Sequence, residues 1–123
     1  MDFDSLSNRV IGGALEVHRA LGPGLLESAY AKALAYELTS SGLVVRTEVE
    51  VPIEYKGVKL GTGFRLDLLI EETLIVELKS AEKLAPLHEA QLLTYLKLTH
   101  LKTGLLINFN VPLLKDGLKR LVL

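Results

Sequence analysis

A chain of 123 residues with 49% hydrophobic and 24% charged side chains is one domain's worth of ordinary globular composition, which excludes disorder. It has no cysteine, so disulfide frameworks, thiolate metal sites and cysteine nucleophiles are excluded as well. The net charge of −1 excludes a generally basic nucleic-acid coat protein, but it is unevenly spread: residues 1–78 carry seven basic and twelve acidic side chains, and residues 79–123 carry seven and three. A polyanion would therefore approach the C-terminal part of the fold.

Phe3, Leu6, Val10, Ala14, Val17 and Leu21 recur at helical steps, which predicts a helix over 4–21, capped by Asp4 or Ser5 and ended by Gly22-Pro23-Gly24. A second helix is expected over 25–40, with Leu26, Tyr30, Leu34 and Leu38 as its apolar stripe and Gly42 closing it. From Val45 to Tyr55 apolar and polar residues alternate, as in a strand with one wet face, and Pro52 marks an edge or a bulge. Lys56-Gly57 reads as a hairpin turn. The next strand puts Val58, Leu60, Thr62, Phe64, Leu66, Leu68 and Ile70 on one face and Lys59, Gly61, Gly63, Arg65, Asp67 and Leu69 on the other. Gly61 and Gly63 fit either a bulge or the close approach of a phosphate backbone. A strand over Leu74–Lys79 follows the turn at Glu71-Glu72-Thr73. Pro86 opens a third helix that runs to about His100. Thr103 to Val111 is a nearly continuous apolar run, expected of a strand buried on both faces, and Leu118 to Leu123 is a short last strand. The order is ααβββαββ, a single α/β (α+β) domain over 1–123 built on a mixed β-sheet flanked by helices.

Matching the apolar faces of the second and third strands sets their register. Leu68 must oppose Val76 and Ile70 must oppose Leu74, which brings Asp67 level with Glu77, with Lys79 on the same face. Two close carboxylates repel each other, and a hard divalent cation such as Mg²⁺ or Mn²⁺ relieves that repulsion. The competing reading is a cross-strand ion pair of Glu77 or Asp67 with Lys79 or Arg65 on a solvent face. Both readings stand on spacing alone.

Asp67 followed ten residues later by Glu77-Leu78-Lys79 resembles the core motif of the PD-(D/E)xK nuclease superfamily, with Leu66 standing where the name places a proline. Gly24-Leu25-Leu26-Glu27-Ser28-Ala29-Tyr30 is similar to the signature of the GxxExxY family, as are Glu16-Val17-His18, Leu21-Gly22-Pro23-Gly24 and Gly104-Leu105-Leu106-Ile107-Asn108-Phe109. The resemblance covers about residues 5 to 122. It implies a restriction-endonuclease-like core and a metal-dependent hydrolase of nucleic-acid phosphodiester bonds. Asp67 and Glu77 would hold Mg²⁺ or Mn²⁺, with the Leu78 carbonyl and Glu27 as further metal oxygens, and Lys79 would position or activate the attacking water. Gln91-x-x-x-Tyr95 resembles a motif that lies beside the metal site in exonucleases of the superfamily. His88 stands one turn before that pair, His18 is expected as a packed helix residue near Glu27, and His100 as a solvent residue.

The expected substrate is nucleic acid, namely DNA, met as a homodimer or within a larger DNA-processing complex. A nuclease fold without turnover, acting as a binding or accessory module, is the alternative that the weak net charge favours. The acidic start, Met1-Asp2-Phe3-Asp4-Ser5, lacks a signal-peptide pattern, and no apolar run nears the roughly 18 residues of a membrane helix, so a cytoplasmic protein is expected.

Overall fold

The structure, a computed structural model, describes residues 3–123. Helix α1 (Ser5–Leu21) starts where expected, because the Asp4 side chain accepts hydrogen bonds from the Ser7 amide at 3.1 Å and the Ser7 hydroxyl at 2.6 Å. Helix α2 (Glu27–Ser40) starts later than its apolar pattern suggests. Leu26 belongs to its N-terminal junction, and at 78% exposure is not part of the buried stripe. Tyr30, Leu34 and Leu38 are buried as expected.

Strands β1 (Val45–Tyr55), β2 (Val58–Ile70), β3 (Leu74–Lys79), β4 (Thr103–Asn108) and β5 (Leu118–Val122) form one sheet in the order β1-β2-β3-β4-β5. Helix α3 (Pro86–Thr99) carries the chain from β3 to β4, which run parallel, while every other neighbour pair is antiparallel. The mixed sheet is covered on both faces. Helices α1 and α2 pack on Leu68, Ile70, Val76, Leu78, Leu105 and Ile107, and α3 packs Leu92 and Leu96 on Leu69, Ile75 and Leu106. The α+β class and the restriction-endonuclease-like arrangement are as the sequence predicts.

The predicted register is present: Leu68 pairs with Val76 and Ile70 with Leu74. Thr73 need not take a left-handed conformation in the connecting turn, because Glu71 (φ 52°) and Glu72 (φ 57°) do so. Glu71 is held there by bonds to Val44, its amide donating to the Val44 carbonyl at 2.9 Å and its carboxylate accepting from the Val44 amide at 2.6 Å.

The long β1–β2 hairpin departs from simple alternation. Val45, Leu68 and Ile70 face α1 and α2, whereas Val49, Val51, Phe64 and Leu66 join the cluster under α3, although their spacing is even. The change of side falls at Glu48, a strand residue with φ 49°. Past Val51 the register slips twice, at Val51/Pro52 and Pro52/Glu54, each time with an extra residue on β2. The two glycines therefore serve the bulges: Gly61 has φ 85°, and a β-carbon on Gly63 would fall inside the Ile53 side chain. Gly63 is needed because Ile53 occupies the place of its β-carbon, so the bulge and this close packing account for both glycines.

Candidate active site

The antiparallel ladder between β2 and β3 ends at Leu68–Val76. Beyond it β3 stays with its parallel neighbour, Lys79 opposite Asn108, while β2 follows β1 out of the sheet. The two strands part at Asp67 and Glu77, and the carboxylates of these residues take over the lost backbone bonds. The Asp67 amide donates to Glu77 Oε2 at 2.7 Å, and the Leu78 amide donates to Asp67 Oδ2 at 2.8 Å. Each acid thus satisfies a backbone donor of the opposite strand, which a buried amide requires. The same bonds aim both side chains into the gap.

Burial dominates the electrostatics of the pair. Glu77 is only 5% exposed, and its pKa is pushed up to about 8, first by burial and then by the Asp67 charge. Asp67 is raised in the same way, first by burial; the Leu78 amide and Lys79 oppose this, and Glu27 adds to it. Burial and the neighbouring Asp67 charge thus make Glu77 hold its proton more tightly than a free carboxyl does. Lys79 forms no ion pair within 4 Å among the described residues, and Arg65 is engaged by Glu50 at 3.2 Å. The cross-strand ion pair set against the metal reading is therefore absent from the described residues.

Helix α2 brings Glu27 from one side. It is the first helical residue, and with Asp67 it lines a cleft of about 460 Å³ that also takes in Ser28, Ala31, Lys32, Thr47 and Glu48. Tyr30 explains why the helix starts there. It is fully buried and stacks on Phe109 at 4.4 Å; its hydroxyl donates to the Gly22 carbonyl at 2.5 Å and accepts from the Leu25 amide at 3.1 Å. The Ser80 hydroxyl donates to the Leu25 carbonyl at 2.6 Å, tying the residue after Lys79 to the turn before Glu27. Glu27 itself is exposed, so its place in the cleft comes from this tethered turn.

Helix α3 approaches from the other side. Tyr95 stacks face to face on Phe64 of the hairpin, 4.1 Å between centroids and 1° between planes. Its hydroxyl is raised by burial and then by the Glu77 and Asp67 charges, while Gln91 lowers it in part, which places Tyr95 within electrostatic reach of the pair with Gln91 beside it. His88 is not part of that group: its Nδ1 accepts from the Ala85 amide at 3.0 Å and closes the first turn of α3. His18 bonds the Val111 carbonyl through Nε2 at 2.8 Å, the packed role expected of it, and His100 is an exposed helix cap in the left-handed region.

Two residues escaped the sequence reading. Asn108, 1% exposed, accepts from the Ala81 and Asn110 amides, each at 3.1 Å, and donates to the Ala81 carbonyl at 2.9 Å, which clamps the loop after Lys79. Its signal was available, since a polar residue inside a buried apolar run must find partners. Glu48 carried no such signal; it lines the cleft because its left-handed backbone lies where the hairpin changes side.

Among the described residues no three carboxylate or imidazole groups gather closely enough to cage a metal by themselves. The donor set at the strand gap is the Asp67–Glu77 pair, with Glu27 sharing the cleft. No helix among the described residues is long and apolar enough to cross a membrane. A family model described as the PD-(D/E)XK nuclease superfamily matches residues 4–121. Comparison with curated proteins and with solved structures gave no match.

Proposed function

The chain belongs to the PD-(D/E)XK nuclease superfamily, and we propose that it is a divalent-metal-dependent nuclease that hydrolyses phosphodiester bonds at Asp67, Glu77 and Lys79. Membership implies a nucleic-acid substrate and the divalent metal that such nucleases generally use. The GxxExxY signature at Gly24–Tyr30, DNA as the substrate and a homodimeric assembly belong to the same reading.

One observation carries it. The buried Glu77 carboxyl and the half-buried Asp67 carboxyl are each held at the strand gap by a backbone amide of the opposite strand, have no ion-pair partner within 4 Å among the described residues, and Glu77 has its pKa pushed up to about 8. A structural ion pair would not be built this way. A hard cation bound by one or two carboxylates, with substrate oxygens completing its shell, fits this donor set. Asp67 and Glu77 would hold it, with the Leu78 carbonyl and Glu27 as further oxygens. When bound, the cation supplies Lewis-acid stabilisation of the charge developing at phosphorus.

The chain's own groups do the rest. The Lys79 ammonium, drawn toward both carboxylates yet bonded to neither, is free to orient the attacking water and to stabilise negative charge. Glu27, at the mouth of the cleft, accepts a hydrogen bond from water or from the departing hydroxyl. The Tyr95 hydroxyl stays protonated at neutral pH and can donate to a non-bridging phosphate oxygen, with Gln91 beside it as a second donor.

The test is a cleavage screen over single-stranded, duplex and branched DNA and over RNA, with Mg²⁺ or Mn²⁺. Metal-dependent cutting that is lost in Asp67→Asn and Lys79→Met is the expected result. Absence of cutting on every substrate, by a protein that still binds the metal, would leave a binding module in place of an enzyme.

A further inference from the structure

The C-terminal half holds an excess of positive charge, and the fold consumes little of it. Of the seven basic side chains after residue 78, Lys119 pairs with Glu89 at 3.1 Å and Arg120 with Asp4 at 3.2 Å. Lys97 and Lys102 form no ion pair among the described residues. They flank His100, and the three line one groove of about 730 Å³, floored by Leu98 and Leu101 and bordered by Leu123, with Glu54 of the hairpin as the one acidic side chain among its described lining residues. A lysine in the last turn of a helix favours the macrodipole, which accounts for Lys97 but not for Lys102 beyond the cap.

None of Asp67, Glu77, Lys79 or Glu27 lines this groove, yet α3 connects the two places. It carries Gln91 and Tyr95 toward the carboxylates and Lys97 toward the groove. Its one carboxylate, Glu89, is already neutralised by Lys119. From Gln91 to His100 the helix rises ~14 Å, about four nucleotide steps of 3.4 Å. A polyanion leaving the strand gap along α3 meets no free carboxylate of that helix before it reaches the two lysines.

We infer that the Lys97–His100–Lys102 groove binds the phosphate backbone of the nucleic acid, about four nucleotides from the bond cut at Asp67 and Glu77. This rests on the nuclease reading for the position of the cut, but not for the binding. The apolar floor would also suit an acidic amphipathic protein segment; the continuity of α3 with the candidate site favours the nucleic acid.

The test uses the full chain in EDTA, so that nothing is cut, and follows labelled oligonucleotides by fluorescence anisotropy. Each phosphate contact adds about 0.9 to the salt dependence on duplex DNA, so between 50 and 200 mM salt the double variant Lys97→Gln/Lys102→Gln should lose roughly tenfold less affinity than the wild type. At low salt the variant should bind a long oligonucleotide more weakly and a four-nucleotide one equally well. Equal affinities and slopes for the two proteins would overturn the groove, as would lysine-dependent capture of a poly-glutamate peptide with no effect on DNA. Lysine-dependent binding by a protein that cuts nothing with Mg²⁺ or Mn²⁺ would sink the nuclease reading and keep the groove. Cutting that is unaffected by the variant on long and short substrates alike would do the reverse.

Discussion

In the absence of divalent cations the stability of this protein should fall as pH rises, and Glu77→Gln should abolish the fall. Folding lifts the Glu77 carboxyl from 4.5 to about 8. The folded state therefore binds a proton that the unfolded state has released. A group raised in this way contributes its stability below the unfolded pKa and loses it as pH climbs through the folded one. Between pH 5 and pH 9 the loss is about 4 kcal/mol, which for a domain of this size is a drop in Tm of roughly 15 °C. Glutamine reproduces the neutral acid: its oxygen still accepts the Asp67 amide, and it carries no charge to desolvate beside Asp67. Thermal melts of both proteins in EDTA across that range are the assay. The wild type should lose Tm steadily above pH 5, the variant should stay nearly flat, and the two curves should separate so that the variant is the more stable at pH 8. Saturating Mg²⁺ should return the wild type toward its acid-side Tm, since the cation replaces the proton. A flat wild-type curve, or a variant that falls in parallel with it, would refute the buried-pair argument.

Two further outcomes are expected. Asp67→Asn should keep the fold but lose the metal-induced rise in Tm, a stabilisation on the order of 1–3 kcal/mol in the wild type, whereas Glu72→Gln in the β2–β3 turn should respond to metal like the wild type; melts with and without Mg²⁺ or Mn²⁺ decide it. Tyr30→Phe removes the hydroxyl that links Gly22 to Leu25 and should cost about 0.5–1.5 kcal/mol per lost bond by urea unfolding, because water can replace the hydroxyl only in part at this half-buried turn; it should also weaken cleavage by loosening the turn that presents Glu27.

Much of this molecule is legible in its sequence because the relevant physics is local. Helix α1 is marked by a three-four repeat with Asp4 before it, and β1 and β2 by alternation around a Lys56-Gly57 turn with both residues at positive φ. The level pairing of Asp67 with Glu77 follows from parity alone, since a slip of one residue would turn Leu68 and Ile70 out of the core. What parity could not supply is the parting of the strands. That depends on β3 holding to β4 while β2 follows a hairpin that changes side at Glu48 and bulges at its two glycines, and only the assembled sheet sets those competing pairings against each other. Burial of Glu77, and hence its raised pKa, exists only once the packed elements close around the gap. The left-handed Glu48, the Asn108 clamp and the tether from Ser80 to Leu25 join residues up to 55 apart in the chain. Asn108 at least stands out as a polar residue inside an apolar run, but its partners, and the roles of the other two, are properties of the packed structure.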